Sequence, residues 1–64
     1  MGEVEFGAVV KKSDGWWIGW LVELPGVNAQ ERTRDELLES LKGGAEDMLA
    51  AGQTVAVFIE GVAE

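Results

Sequence analysis

The chain has no cysteine and no histidine. The first absence excludes disulfides and a thiolate zinc site, and the second removes the usual proton shuttle at neutral pH and the commonest imidazole metal ligand. Basic residues are scarce: five Lys and Arg stand against twelve Asp and Glu, for a formal charge of -7. With no basic run longer than Lys11-Lys12, nothing offers a stripe for counterion release, so the chain is not expected to bind nucleic acid directly. Long apolar runs are missing too. The stretch 16–22 is far too short to cross a bilayer, and the N-terminus lacks the basic-then-apolar order of a signal peptide. These absences point to a soluble, cytoplasmic protein.

What is present is a hydrophobic fraction of 47%, too high for a disordered acidic tail, packed into 64 residues. That length holds one small domain, residues 1–64. A domain so short buries only about 60% of the surface its unfolded chain exposes, so association with itself or a partner is the expected supplement to a small core.

Residues 3–10 alternate, with Val4, Phe6, Ala8 and Val10 on one side, and read as a strand with one buried face. Residues 11–15 form a polar turn ending in Asp14-Gly15, a strong hairpin signal because both residues tolerate positive φ. A second strand is expected over 16–24. Its even positions, Trp16, Ile18, Trp20, Val22 and Leu24, are all apolar, and with the even positions of the first strand they make the expected core face. Pro25-Gly26 breaks the ladder, and 27–31 is long enough for a short edge strand.

Thr33-Arg34-Asp35-Glu36 reads as a capping box opening a helix, with Asp35 and Glu36 at the positive end of its dipole. Leu37, Leu38, Leu41, Ala45, Met48 and Leu49 form its apolar stripe, with Glu39, Lys42, Glu46 and Asp47 on the wet side. Gly43-Gly44 interrupts the helix, either to allow close approach to a neighbouring element or as a weak bend. Gly52 suits a left-handed position after the last turn, and 55–59 reads as the last strand, with Val55, Val57 and Ile59 toward the helix.

The order β-β-β-α-β defines an α+β domain, a mostly antiparallel sheet with one helix packed on one face. The other face would then carry Gly7, Val9, Trp17, Gly19, Leu21, Ala56 and Phe58, too apolar for a solvated surface. It is expected to be an oligomer interface, with Val9, Trp17, Leu21 and Phe58 as its anchors and a dimer or larger homo-oligomer as the product. The competing reading is a register one residue off, which makes this set the core and exposes the even set.

The stretch from Gly15 to Glu36 resembles the N-terminal domain of HicB-type antitoxins. Leu24-Pro25-Gly26 matches the family's turn after a strand of aromatic and small residues, and Gln30 with Thr33-Arg34-Asp35-Glu36 matches the start of its acidic helix. Glu31 stands where the family usually has glycine, and Leu37 and Leu38 where it commonly has alanine. The likeness covers roughly residues 3–60. It implies a partial ribonuclease H-like fold and a role as an antitoxin that neutralises a small basic mRNA-cleaving toxin of the HicA type by masking its RNA-binding surface. Glu23, Asn28 and Gln30, on or near the edge strand, are the expected partner-binding residues. The alternative is a stand-alone HicB-fold module for another protein or a small ligand. Family members with a C-terminal DNA-binding domain are longer, so that domain is not expected here.

No enzyme is expected. A ribonuclease H site needs acids converging on magnesium, whereas Glu3, Glu5, Glu23, Glu39, Glu46 and Asp47 read as solvated and Asp35 and Glu36 as caps. No catalytic residue, metal ligand or cofactor site is assigned.

Overall fold

The computed structural model describes residues 2–49 and 52–63. It comprises β1 (Glu3–Ser13), β2 (Trp16–Leu21), β3 (Asn28–Glu31), α1 (Arg34–Met48) and β4 (Thr54–Ala63). The four strands form one mixed sheet in the order β3-β2-β1-β4. The β1-β2 and β2-β3 pairs are antiparallel and β1-β4 is parallel. The α+β class and the β-β-β-α-β order expected from the sequence are therefore those of the molecule.

Asp14 and Gly15 alone make the first turn, with φ of 52° and 81°, and Ser13 is already paired with Trp16. Positive φ at both positions matches the turn to the right-handed twist of its strands. The first strand thus runs three residues beyond the expected range. The second stops three residues early, because residues 22–27 fold into a loop closed by the Val27 amide on the Leu24 carbonyl at 2.8 Å. Gly26 does not adopt positive φ in that turn.

The capping box forms, but the Glu36 carboxylate takes the Thr33 hydroxyl in place of the Thr33 amide that such a motif ordinarily engages. The Glu36 amide donates to Thr33 Oγ1 at 3.1 Å, and the Thr33 hydroxyl donates to the Glu36 carboxylate at 3.0 Å. From this cap α1 leaves the hairpin end above β3 and must cross the sheet to deliver the chain to β4 at the opposite end. Leu37, Leu41 and Ala45, one turn apart, are fully buried against Phe6, Ala8, Val10, Leu21 and Val55, with Val27 from the loop completing the core. Leu38 and Leu49 pack at its margin, while Met48 is 64% exposed and leaves the expected stripe. The upper part of β4 extends past the helix, so Val62 is 66% exposed.

The helix passes through Gly43 and Gly44 unbroken, and the two glycines serve different ends. A Cβ on Gly44 would lie 2.7 Å from Val27 Cγ1, whereas one on Gly43 would meet nothing within 4 Å. Gly44 allows α1 to approach the 22–27 loop; Gly43 is only a weak helix former. Gly43→Ala is therefore expected to stabilise the domain by about 0.5–1 kcal/mol. Gly44→Ala is expected to destabilise it by about 1 kcal/mol or more, the overpacking outweighing the propensity gain. Urea titration of the two variants checks the opposite signs.

The β1-β2 register overturns the expected core face of the second strand. Ala8 lies opposite Leu21, Val10 opposite Gly19 and Lys12 opposite Trp17, so the odd positions of β2 face the helix with the even positions of β1. Leu21 is fully buried and Trp17 packs against the core, while Trp20 and Val22 are 36% and 43% exposed. The competing register weighed from the sequence is thus the observed one for β2. In β4, Val55, Val57 and Ile59 face the helix as expected.

Candidate interaction surface

With these registers the sheet face away from the helix carries Val9 of β1, Trp16, Ile18, Trp20 and Val22 of the second strand and its continuation, and Ala56 and Phe58 of β4. Phe58 is 48% exposed. Of the four residues expected to anchor an interface, Val9 and Phe58 lie here, and Trp17 and Leu21 do not: the two-residue turn puts them on the helix side. Trp16, Ile18 and Trp20, read as core from the sequence, take their places on the open face. The number of residues in the Asp14-Gly15 turn is the signal that would have assigned them.

Charge is unevenly placed on this face. Glu3, Glu5, Gly7, Val9, Lys11 and Ser13 are the β1 residues on it, with the acids at one end and Lys11 toward the hairpin. Arg32, just past β3, places its guanidinium carbon 3.7 Å from the centroid of the Trp16 ring at the same hairpin end. Across the sheet, Lys12 holds its Nζ 5.6 Å from the centroid of the Trp17 ring. Lys11, Lys12, Arg32 and Arg34 are four of the chain's five basic residues, and the topology collects all four at the hairpin end. Glu3, Glu5 and Glu23 lie toward the other end. Asp14, Glu31, Asp35 and Glu36 lie at the hairpin end as well, so charge there is balanced and the excess of acid falls on the other end.

The three expected partner-binding residues separate. Asn28 and Gln30 are exposed on the open side of β3, opposite Trp20 and Ile18, and the Asn28 side-chain amide donates to the Gly26 carbonyl at 3.4 Å. Glu23 has a structural task. Where β2 leaves the ladder, the Val22 amide still donates to the Gly7 carbonyl at 2.8 Å, and the Gly7 amide donates to Glu23 Oε1 at 3.0 Å. The carboxylate thus satisfies a backbone donor that β2 no longer reaches. Glu31 turns toward the helix and accepts the Ser40 hydroxyl at 2.6 Å, fastening the edge strand to α1.

Glu60 sits at the bulge where the β1-β4 register shifts, and its carboxylate folds over Gly7 on the open face. No pocket is formed by the described residues, and among them no three acidic side chains are grouped to hold a metal ion. No described helix is long and apolar enough to cross a membrane. The open face offers an apolar surface for association, interrupted near its middle by the Glu60 carboxylate over Gly7.

No family model, curated protein or solved structure matches the chain.

Proposed function

We propose that this chain is an antitoxin-like binding module that neutralises a small basic mRNA-cleaving protein of the HicA type in the cytoplasm. The observation carrying this reading is positional. The Leu24-Pro25-Gly26 turn and the Thr33-Glu36 cap fall at the two junctions, β2 to β3 and β3 to α1, where the resemblance requires them. The charge of -7 supports it, because an acidic protein can occupy the cationic patch through which such a toxin would hold RNA. Asn28 and Gln30, exposed on the edge strand, are the candidate contacts, and Glu23 acts through the strand geometry it stabilises. No catalytic step or cofactor is part of this function.

Reconstitution with a small basic mRNA-cleaving toxin of the HicA type tests the proposal. The expected result is a complex that abolishes RNA cleavage, forms more slowly as salt is raised, and is weakened by Asn28→Lys with Gln30→Lys. No complex and undiminished cleavage would overturn it.

A further inference from the structure

We infer that the outer edge of β4 accepts an extended basic segment of another protein as an antiparallel fifth strand, its lysines or arginines reaching over Thr54 and Ala56 to Glu3 and Glu5. The inference stands apart from the function proposed above, whose candidate contacts lie on β3 at the opposite edge of the sheet.

The backbone sets the site. β4 ends the sheet on the side away from β3, and no described strand lies beyond it. The Thr54 amide donates to the Gly2 carbonyl at 3.0 Å, so Thr54 turns its backbone polar groups toward β1. Successive residues of a strand turn theirs to opposite edges, which directs the amides and carbonyls of Val55, Val57 and Ile59 outward. Sheet edges are ordinarily blunted by a charge, a proline or a bulge. On β4 the charge of Glu60 and the shift of register both come only after Ile59. The stretch Thr54–Ile59 is uncharged, has no proline and is rich in β-branched residues, the composition of an edge that recruits another strand.

The side chains decide what is recruited. Val55, Val57 and Ile59 lie on the helix side, so a residue paired with any of them meets an apolar neighbour. On the open face the rows run across the sheet: Glu3 lies beside Thr54, Glu5 beside Ala56 and Gly7 beside Phe58. Glu3 and Glu5 are exposed, and Thr54 and Ala56 are small. A residue on a fifth strand stands two strand spacings, about 10 Å, from the β1 residue in its row, a gap that a long basic side chain and a glutamate close together. The two acids are two residues apart, the repeat of side chains on one face of a strand. The segment that fits therefore alternates basic with apolar.

The surroundings select the same partner. The last turn of α1, a few residues before β4 begins, carries the exposed Glu46 and Asp47 and no basic residue, so acids stand at the negative end of the helix dipole. Cations arriving at this end relieve that repulsion. A second copy of the chain does not supply them. Paired antiparallel about Val57, β4 of another copy would set Phe58 beside Ala56 and Glu60 beside Thr54, offering no cation to Glu5 and an acid to Glu3.

The test titrates the full chain with the capped peptide Val-Lys-Val-Lys-Val-Lys-Val, which places valines toward the helix side and lysines on the open face. The expected dissociation constant is about 100 µM or tighter at low salt. Glutamate in place of each lysine should weaken binding about tenfold or more. N-methylation of the two inner valines keeps every charge and removes backbone donors, and should also cost about tenfold. Hydrogen exchange of the Val55 and Val57 amides should slow when the parent peptide binds. Glu3→Lys with Glu5→Lys should reverse the preference, favouring the glutamate peptide; both positions are exposed, and circular dichroism checks that the variant is folded. No binding at about 1 mM overturns the proposal. So does an N-methylated peptide as tight as the parent, which would mean attraction by charge alone, or a preference that does not reverse. Val55 and Val57 amides already protected in the chain alone, because copies pair along this edge, would overturn it as well. A chain that silences the toxin yet fails to bind the peptide defeats this inference and leaves the proposed function intact.

Discussion

Leu21→Ala lowers the stability of the domain by about 3 kcal/mol, within the range of about 2–5 kcal/mol seen when a fully buried leucine is truncated. Leu21 is one of the four largest side chains that are completely enclosed, beneath α1 and opposite Ala8, so the cavity it leaves has rigid walls of sheet and helix. A domain of this size has a total stability of roughly 3–10 kcal/mol, so the variant stands near the edge of folding. The expected fall in melting temperature is about 12–24 °C. Val22→Ala, one residue on, removes a side chain that is 43% exposed on the other side of the sheet, and should cost under about 1 kcal/mol in a dilute, dissociated sample. Thermal melts of the pair test the register directly. If Leu21 pointed to the open face, the two effects would be exchanged.

That contrast also locates what the sequence could and could not reveal. Strand existence, the helix and its cap were legible because each rests on a local rule: alternation in β1, an Asp-Gly turn, a threonine three residues before a glutamate. The facing of β2 was not. Both of its sides are apolar, with Trp16, Ile18 and Trp20 on one and Trp17 and Leu21 on the other, so hydrophobic alternation has no preferred answer. Turn length decides instead. A two-residue loop closing on the Ser13-Trp16 pair fixes even positions of β1 against odd positions of β2, whereas a turn reckoned from Lys11 leaves the parity open. The candidate surface inherited the same ambiguity. Val9 and Phe58, on strands with one clear buried side, were placed correctly, and Trp17 and Leu21 were not. Glu23 was legible only as an acid near an edge. Its bond to the Gly7 amide depends on where β2 leaves the ladder, a tertiary fact.

Gly19→Val separates the helix from the sheet at the centre of the core and is expected to destabilise the domain by about 3 kcal/mol. A Cβ built on Gly19 would lie 3.0 Å from the Val9 carbonyl oxygen, 3.1 Å from Leu37 Cδ2 and 3.4 Å from Val10 Cγ1. The Leu37 methyl can retreat by a few tenths of an ångström, but the carbonyl belongs to the paired β1 backbone and cannot. Alanine already strains this seam, and the two further methyls of valine must enter the space that the fully buried Leu37 fills. The higher strand propensity of valine, worth about 1 kcal/mol at most, does not offset that. Gly26→Ala provides the control, since a Cβ there meets nothing within 4 Å and the residue does not use positive φ. The mechanism predicts a coupling as well as a loss. Leu37→Ala alone leaves a cavity and is expected to cost about 3 kcal/mol, yet combined with Gly19→Val it exchanges volume across the same contact. The double variant should therefore be more stable than the sum of the single losses predicts, by about 1 kcal/mol or more. Strict additivity in urea titrations would mean that Gly19 and Leu37 do not meet, and the helix would have to lie elsewhere on the sheet.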